Sequence, residues 1–202
     1  MSSAAAPVAH PSAQAGRQFS LLPAVLSYLF PGLGQIYQGR VAKGVLFFVC
    51  VYTLFIYGMY LGSGTVKAGE PPREYTVSGN VFLPEAPNQN RSSPWWVQLA
   101  TALWNRPQYV GQFWVGVVAW PALWQYFNYD PKQDDHPPLM GYERTPTEEA
   151  RNAVENFGDK LIDLGWVYTV IAGVLNIMVI YDALAGPAFL TPKADAARKA
   201  TA

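Results

Sequence analysis

The sequence has few of the residues that build catalytic, metal-binding or nucleic-acid sites. It contains one cysteine, Cys50, and two histidines among 202 residues, so an internal disulfide is excluded and a thiolate zinc site is not expected. Its 14 basic and 14 acidic residues cancel, which leaves no basic excess for nucleic acid. No nucleophile, metalloprotease or phosphate-loop signature occurs. We therefore expect no enzyme activity, no cofactor, no metal site and no nucleic-acid partner.

Charged residues are also scarce, at 14% of the chain against about 25% in a typical soluble domain. They cluster in the tails and loops, so long charge-free stretches remain between them. An apolar helix of about 20 residues crosses a bilayer core of about 30 Å. The sequence therefore predicts an all-α membrane protein with about four transmembrane helices, and the lipid bilayer is its first expected partner.

Three stretches have the length of a spanning helix. Residues 42–62 carry only Lys43 at their edge, and residues 109–129 are charge-free with aromatic side chains at both ends. We expect Pro121 to kink this third span. Residues 164–186 form the fourth predicted span.

The first apolar stretch, residues 21–37, is short for a complete crossing. Pro31 lacks a backbone N–H, so the element is either a kinked span or a re-entrant segment. Only a short link separates it from the next span. Residues 21–62 are thus predicted to form a kinked helical hairpin.

Residues 63–108 form a long, proline-rich polar loop. Within it, residues 75–83 have the pattern of a short β-hairpin around Gly79-Asn80. Aromatic and apolar residues then recur at helical spacing: Trp96, Leu99, Ala100, Leu103 and Trp104. This helix either lies in the membrane interface or packs as a cap on the spanning helices.

Residues 130–163 form a second loop, which is acidic and ends in an amphipathic helix. Thr145-Pro146-Thr147-Glu148 matches a capping box with proline at the first helical position. An apolar stripe follows at spacings of three and four: Ala150, Val154, Phe157, Leu161 and Leu164. We expect this helix to continue without a break into the fourth span.

The two ends of the chain, residues 1–20 and 187–202, have the composition of disordered tails. Four crossings place both tails on one side of the membrane. The tails and the loop 63–108 then carry eight Lys and Arg residues against six on the other side, which favours cytoplasmic termini.

A glycine-rich motif links the first two predicted spans and includes Pro31, Gly32, Gly34, Tyr37 and Gly39. Such glycines allow close backbone contacts and positive φ angles, which suits a tight helical hairpin. The motif resembles the glycine and aromatic hairpin of small bacterial membrane proteins related to the TM-two domain. Together with residues 165–187, it resembles an uncharacterised bacterial family of multi-pass membrane proteins. This resemblance implies a bacterial inner-membrane location and no particular chemistry.

Five further residues are candidates for helix packing. Gly58 and Gly62 form a G-x-x-x-G pair that favours a close contact within the chain or in a homodimer. Gly173 and Asn176 lie in the fourth span, where Asn176 is either a hydrogen-bonding contact between helices or a residue on a solute pathway. Asp182 has no evident ionisable partner and is either a solvated helix end or part of a proton relay.

Two functional hypotheses remain after the enzyme signatures are excluded. The small-residue faces favour a non-catalytic structural or interaction subunit that packs with itself or with other membrane proteins. The alternative is a small transporter or channel component, suggested by Gln112, Asn176, Asp182 and the proline-containing first and third spans.

Overall fold

The computed structural model describes residues 20–68, 70–84, 93–128, 142–143, 145–158 and 160–186. The predicted disordered tails, apart from Ser20, and residues 130–141 of the predicted acidic loop lie outside the described residues. The described chain is mostly helical, and it also contains a small two-stranded sheet, so it is not all-α.

Two long helices, α3 (Val41–Leu61) and α8 (Lys160–Ala185), form an antiparallel pair. Gly58 near the end of α3 packs on Gly165 near the start of α8, and Lys43 at the start of α3 contacts Asp182 near the end of α8. Their mean hydropathies over 18 residues are 2.0 and 1.8. Within the described residues, these two helices are long and apolar enough to cross a membrane, and the four predicted spans are not shown.

The first apolar stretch consists of α1 (Leu21–Leu29) and α2 (Leu33–Tyr37), with a break between them. Gly32 adopts a left-handed φ of 86° directly after Pro31. At the start of α1, the Ser20 amide donates to the Leu184 carbonyl at 3.2 Å. At the end of α2, Gln38 donates to the Ala183 carbonyl at 2.7 Å. The stretch therefore begins and ends beside the same end of α8, as in the re-entrant alternative.

The stretch 109–128 is also broken, where one spanning helix with a kink at Pro121 was predicted. It runs through α5 (Gln108–Gln112), two 3-10 turns (Phe113–Val115 and Val117–Ala119) and α6 (Trp120–Asn128). The break lies at Gly116, whose φ is 106°, and the predicted kink at Pro121 was wrong. Pro121 is the second residue of α6, where a missing N–H removes no helical hydrogen bond.

The two breaks are in direct contact. A Cβ atom on Gly116 would overlap the carbonyl oxygens of Tyr28 and Leu29 at the end of α1. Around this contact, Tyr28 packs its ring against Phe113 and Trp114. The end of α1 and the break at Gly116 thus meet each other.

The β-hairpin lies earlier in the chain than predicted. Strands β1 (Ser63–Ala68) and β2 (Arg73–Ser78) pair antiparallel, with Thr65 opposite Thr76. The sequence between them contains Pro71-Pro72, which suits a turn. The predicted turn at Gly79-Asn80 was wrong because these residues begin a buried segment without regular secondary structure, which continues to Pro84.

This buried segment, residues 79–84, lies in the apolar core. Val81 and Leu83 are buried against Val51 and Phe55 of α3 and against Tyr109. Helix α4 (Trp95–Asn105) closes the same core with Ala102, and its half-buried residues Leu99 and Leu103 pack beside it.

Helix α7 (Glu148–Phe157) begins two residues later than the capping box predicted. Its N-cap is Thr147, whose hydroxyl accepts from the Ala150 amide at 3.3 Å. The predicted continuous passage into the last span was wrong as well. The chain is extended at Gly158, and α8 starts at Lys160, because glycine after an apolar helical run ends the helix.

Candidate functional site

The buried face of α8 is built from small and polar side chains. Its members recur every three or four residues, with Ala172 and Gly173 adjacent: Gly165, Thr169, Ala172, Gly173, Asn176, Val179 and Ala183. Small residues let neighbouring backbones approach closely, and each buried polar group requires a hydrogen-bond partner. Residues of other elements bond to α8 near its end, at its middle and near its start. Together these contacts form a polar network.

Near the end of α8, Asp182 binds two basic side chains from the start of α3. Its carboxylate accepts from Arg40 Nη2 and from Lys43 Nζ, each at 2.7 Å. Gln35 Nε2 of α2 adds a third contact at 3.2 Å. The sequence context showed no ionisable partner for Asp182. The structure gives it two, so that expectation was wrong. The cluster joins α2, α3 and α8.

Gln35 extends this cluster into the protein interior. Its Nε2 atom also donates to the Val179 carbonyl at 2.8 Å, and its Oε1 atom accepts from the Ser27 hydroxyl at 3.0 Å. The same hydroxyl accepts from the Gly34 amide at 3.1 Å. Gln35 and Ser27 are both fully buried, so these bonds fix how α2 folds back on α1.

Asn176 lies at the middle of α8 and holds the two broken segments together. Its Nδ2 atom donates to the Ser27 carbonyl at 3.2 Å and to the Trp114 carbonyl at 2.8 Å. In a continuous helix the Ser27 carbonyl would accept from the amide four residues on, but that residue is Pro31, which has no N–H. Trp114 is two residues before the break at Gly116. Asn176 thus satisfies carbonyls beside both breaks.

A second polar cluster lies near the start of α8. Gln112 donates to the Thr169 hydroxyl at 2.8 Å, and this hydroxyl donates to Asn80 Oδ1 at 3.3 Å. Asn80 Nδ2 then donates to the Gly58 carbonyl of α3 at 3.0 Å. This chain of bonds connects α5, α8, the buried segment 79–84 and α3.

Arg106 closes the second cluster from α4. Its guanidinium donates to the Asn80 carbonyl and lies 3.6 Å from the centre of the Phe82 ring. Burial, and to a smaller extent the nearby charge of Arg151, lowers the pKa of Arg106 to about 10. The side chain is still positively charged at neutral pH, and the carbonyl and the ring face stabilise that charge.

A protein-family model described as a family of unknown function, DUF6677, matches residues 22–196. The chain belongs to this family. No curated protein and no solved structure matches it. The DUF6677 match contains nearly all of α1 and all of α2 to α8, so the whole polar network lies within it. The expectation of an uncharacterised family is confirmed.

In this DUF6677 chain, two of the motif glycines lie at close backbone contacts. A Cβ on Gly32 would overlap the Gly44 carbonyl oxygen, and a Cβ on Gly34 would overlap the Pro23 carbonyl oxygen. Pro31, directly before Gly32, is buried as well.

The other two motif residues face outward. Tyr37 is 63% exposed. Gly39 has a φ of 79°, and no described residue lies within 4 Å of where its Cβ would be. The close packing of the motif is therefore confined to its first part.

The glycine pair of α3 contacts other parts of the same chain. Gly58 packs on Gly165 and Thr169, and Gly62 packs on Gly165 and the Asn80 side chain. These contacts use the G-x-x-x-G face within the chain, so this face is not free for a homodimer. Gly173 of α8 likewise lies on a carbonyl oxygen of α5, that of Gly111.

Sequence reasoning missed several members of the network, namely Ser27, Gln35, Asn80, Arg106 and Thr169. The signal for Ser27, Gln35 and Thr169 was their position inside otherwise apolar stretches, which marks a buried polar contact. Asn80 and Arg106 gave no such signal because they lie in a polar loop.

Glu143 is a further buried group that the sequence did not indicate. One carboxylate oxygen accepts from the Ala122 amide at the start of α6 at 3.0 Å, and the residue is 1% exposed. Burial raises the pKa of Glu143 to about 9, against the smaller opposing effects of the Ala122 amide and the neighbouring Tyr142 side chain. Its carboxyl group is therefore protonated at neutral pH.

The polar groups of the network bond to one another and to neighbouring segments of the chain. Arg40 and Lys43 each pair with Asp182, and the side chains of Asn176 and Gln112 are bonded to neighbouring segments. Among the described residues, no group of three or more His, Cys, Asp or Glu side chains is arranged to hold a metal ion. A cavity of about 180 Å³ lies elsewhere, between β2 and the start of α7.

Proposed function

We propose that this chain is an integral membrane protein that acts as a non-catalytic structural or interaction subunit. The observation that carries the proposal is the inverted burial of α8. Asn176 is fully buried, whereas Met178, two residues on, is 66% exposed. A helix in water buries its apolar side chains, but a helix in lipid exposes them and turns its polar groups inward.

The other long helix supports the same proposal. Only 22% of the apolar window of α3 is buried within the chain. Its exposed side chains are mostly apolar or aromatic and include Val45, Leu46, Phe48, Val49, Ile56, Tyr57 and Tyr60. A core helix of a soluble protein would be mostly buried, so this surface requires lipid or a membrane-embedded partner.

In this proposal, α3 and α8 span the bilayer, and the segment 21–37 enters and leaves at one face. Irregular backbone at membrane depth is tolerated where other protein groups satisfy it. Asn176 bonds a carbonyl of each segment, and the Ser27 hydroxyl accepts from the Gly34 amide within the first segment.

The folded-back first segment also changes the charge argument for orientation. Ser20, the Arg40–Lys43 turn and the end of α8 all lie at one face. The short basic turn and the basic tails are therefore on the same side, where they reinforce one another. Residues 63–159 form a long connection, and long loops contribute little to orientation. We place both termini in the cytoplasm, at a bacterial inner membrane.

The test of membrane integration is extraction of isolated membranes with alkaline carbonate. An integral protein stays in the pellet and is released by detergent, whereas release by carbonate alone would contradict the proposal. The interaction role is tested by purification in mild detergent at near-native expression. We expect a homo-oligomer or a complex with another membrane protein, and a monomer without any partner would contradict that role.

The broken segments favour one second candidate, a small transporter or channel component. Discontinuous helices whose ends meet at mid-membrane form ion and solute sites in transporters. Here the Asn176 amide lies where the two segments meet and bonds a carbonyl of each. An Asn176→Leu, Asp182→Asn double variant that inserts normally but alters the flux of an ion or solute supports transport. Unchanged flux excludes it.

A further inference from the structure

The outward face of α4 is charge-free and aromatic. The helix contains no acidic or basic residue over its 11 positions. Trp96, Ala100 and Trp104 lie four residues apart and are all exposed, Trp96 by 60% and Trp104 by 85%, and Trp95 beside them is 64% exposed. The opposite face is formed by Leu99, Ala102 and Leu103, which pack on the core.

The position of α4 along the α3/α8 pair is fixed by hydrogen bonds. Arg106, the residue that ends α4, donates to the Asn80 carbonyl. The Asn80 side chain in turn donates to the carbonyl of Gly58, which lies in the last turn of α3. Helix α4 is therefore attached beside the end of a helix that, in the proposed function, leaves the bilayer there.

We propose that α4 lies in the headgroup layer of the membrane on the side opposite the termini, with its tryptophan face against lipid. This inference rests on the proposed membrane integration. Indole rings are enriched at this depth because their ring buries apolar area while the N–H reaches polar groups. The absence of charge from the whole helix and its place at the end of α3 assign this face to lipid, where a water-exposed helix would carry charged residues.

Spin-label accessibility in vesicles of phosphatidylcholine and phosphatidylglycerol tests the inference on the full-length chain. The native Cys50 lies on the exposed face of α3 and reports the bilayer interior. In a Cys50→Ala background, Ala100→Cys reports the outward face of α4. Asn156→Cys on the exposed face of α7 reports water, and Trp104→Cys is a second position on α4.

The three environments are distinguished by how often the label collides with two agents. Oxygen partitions into lipid, and a nickel chelate stays in water. We expect labels on α4 to lie between Cys50 and Asn156→Cys, at a depth of about 5–10 Å in the headgroup and acyl boundary. Nickel accessibility on α4 equal to that at Asn156→Cys would overturn the inference while leaving membrane integration intact. So would low accessibility to both agents, which indicates a protein contact. High nickel accessibility at Cys50 would instead contradict membrane integration.

Discussion

The continuous helices α3 and α8 and the two broken segments beside them are both rich in apolar residues, but their backbones are satisfied differently. Each long helix satisfies its backbone along its own length. The first broken segment leaves the Ser27 carbonyl without a helical donor because Pro31 has no N–H, and the second interrupts its helix near Trp114 and Gly116. The buried Asn176 side chain bonds the carbonyls of Ser27 and Trp114. The burial of Asn176 is thus explained by where the two neighbouring helices stop.

The largest loss of stability is expected from removing the Asn176 side chain, which bonds one carbonyl beside each break. Asn176→Leu leaves the carbonyls of Ser27 and Trp114 without their donor. We expect a loss of about 3 kcal/mol in the free energy of unfolding, because each buried unpaired group costs about 1–3 kcal/mol. Denaturant unfolding in detergent micelles measures it.

The control for Asn176→Leu is Asn156→Ala, which removes an exposed asparagine from α7 and should change stability by less than about 0.5 kcal/mol. Equal stabilities of the two variants would show that the breaks do not depend on Asn176.

The next largest effect concerns Glu143, which contacts the start of α6. Its pKa is about 9 in the folded protein and near 4.5 when unfolded. Between these values only the unfolded state releases the proton, so stability falls as pH rises from about 4.5 to about 9. We expect a loss of about 2 kcal/mol between pH 5 and pH 6.5, since each pH unit contributes at most about 1.4 kcal/mol.

Glu143→Gln should flatten this pH profile because the amide carries no titratable proton and its oxygen still accepts from Ala122. The exposed Glu155→Gln should leave the profile unchanged. A slope that persists in Glu143→Gln would assign the pH dependence to another group.

The close contact between a continuous helix and a broken segment gives a smaller effect. A methyl group on Gly173 would meet the Gly111 carbonyl oxygen and Val115. Gly173→Ala is expected to lower the free energy of unfolding by about 1.5 kcal/mol through overpacking. Val174→Ala, on the exposed side of the same turn, should be nearly neutral. A Gly173→Ala variant as stable as the wild type would contradict this contact.

The smallest effect is expected at the ion cluster. Asp182→Asn removes the partner of Arg40 and Lys43, which are partly exposed to solvent. We expect a loss of about 1 kcal/mol, as for ion pairs screened by water. Asp163→Asn at the other end of α8 is the control. A double-mutant cycle with Lys43→Gln isolates the pair, and a coupling energy of zero would show that Lys43 contributes nothing.

The sequence was sufficient for the continuous helices and insufficient for the contacts around the breaks. Length and missing charge predicted α3 and most of α8, and Pro31 predicted the first break. Gly116 was missed because it lies among valines and aromatic residues in an unbroken apolar run. Gly158 was overlooked although glycine commonly ends a helix.

The partners of the polar residues could not be predicted because they are distant in sequence. Asp182 is 142 residues from Arg40 and 139 from Lys43. Asn176 is 149 residues from Ser27. The sequence does not show how the first segment folds back, so it cannot show which residues become neighbours of Asn176 and Asp182.

The most direct test of the folded-back first segment is side-specific labelling of single cysteines with a membrane-impermeant maleimide. In a Cys50→Ala background, Ser20→Cys and Tyr37→Cys mark the two ends of the segment, and Thr76→Cys marks the β-hairpin. All three positions are exposed. We predict that Ser20→Cys and Tyr37→Cys are labelled from the same side and Thr76→Cys from the opposite side. Labelling of Ser20→Cys and Tyr37→Cys from opposite sides would show that the segment crosses the membrane and contradict the account.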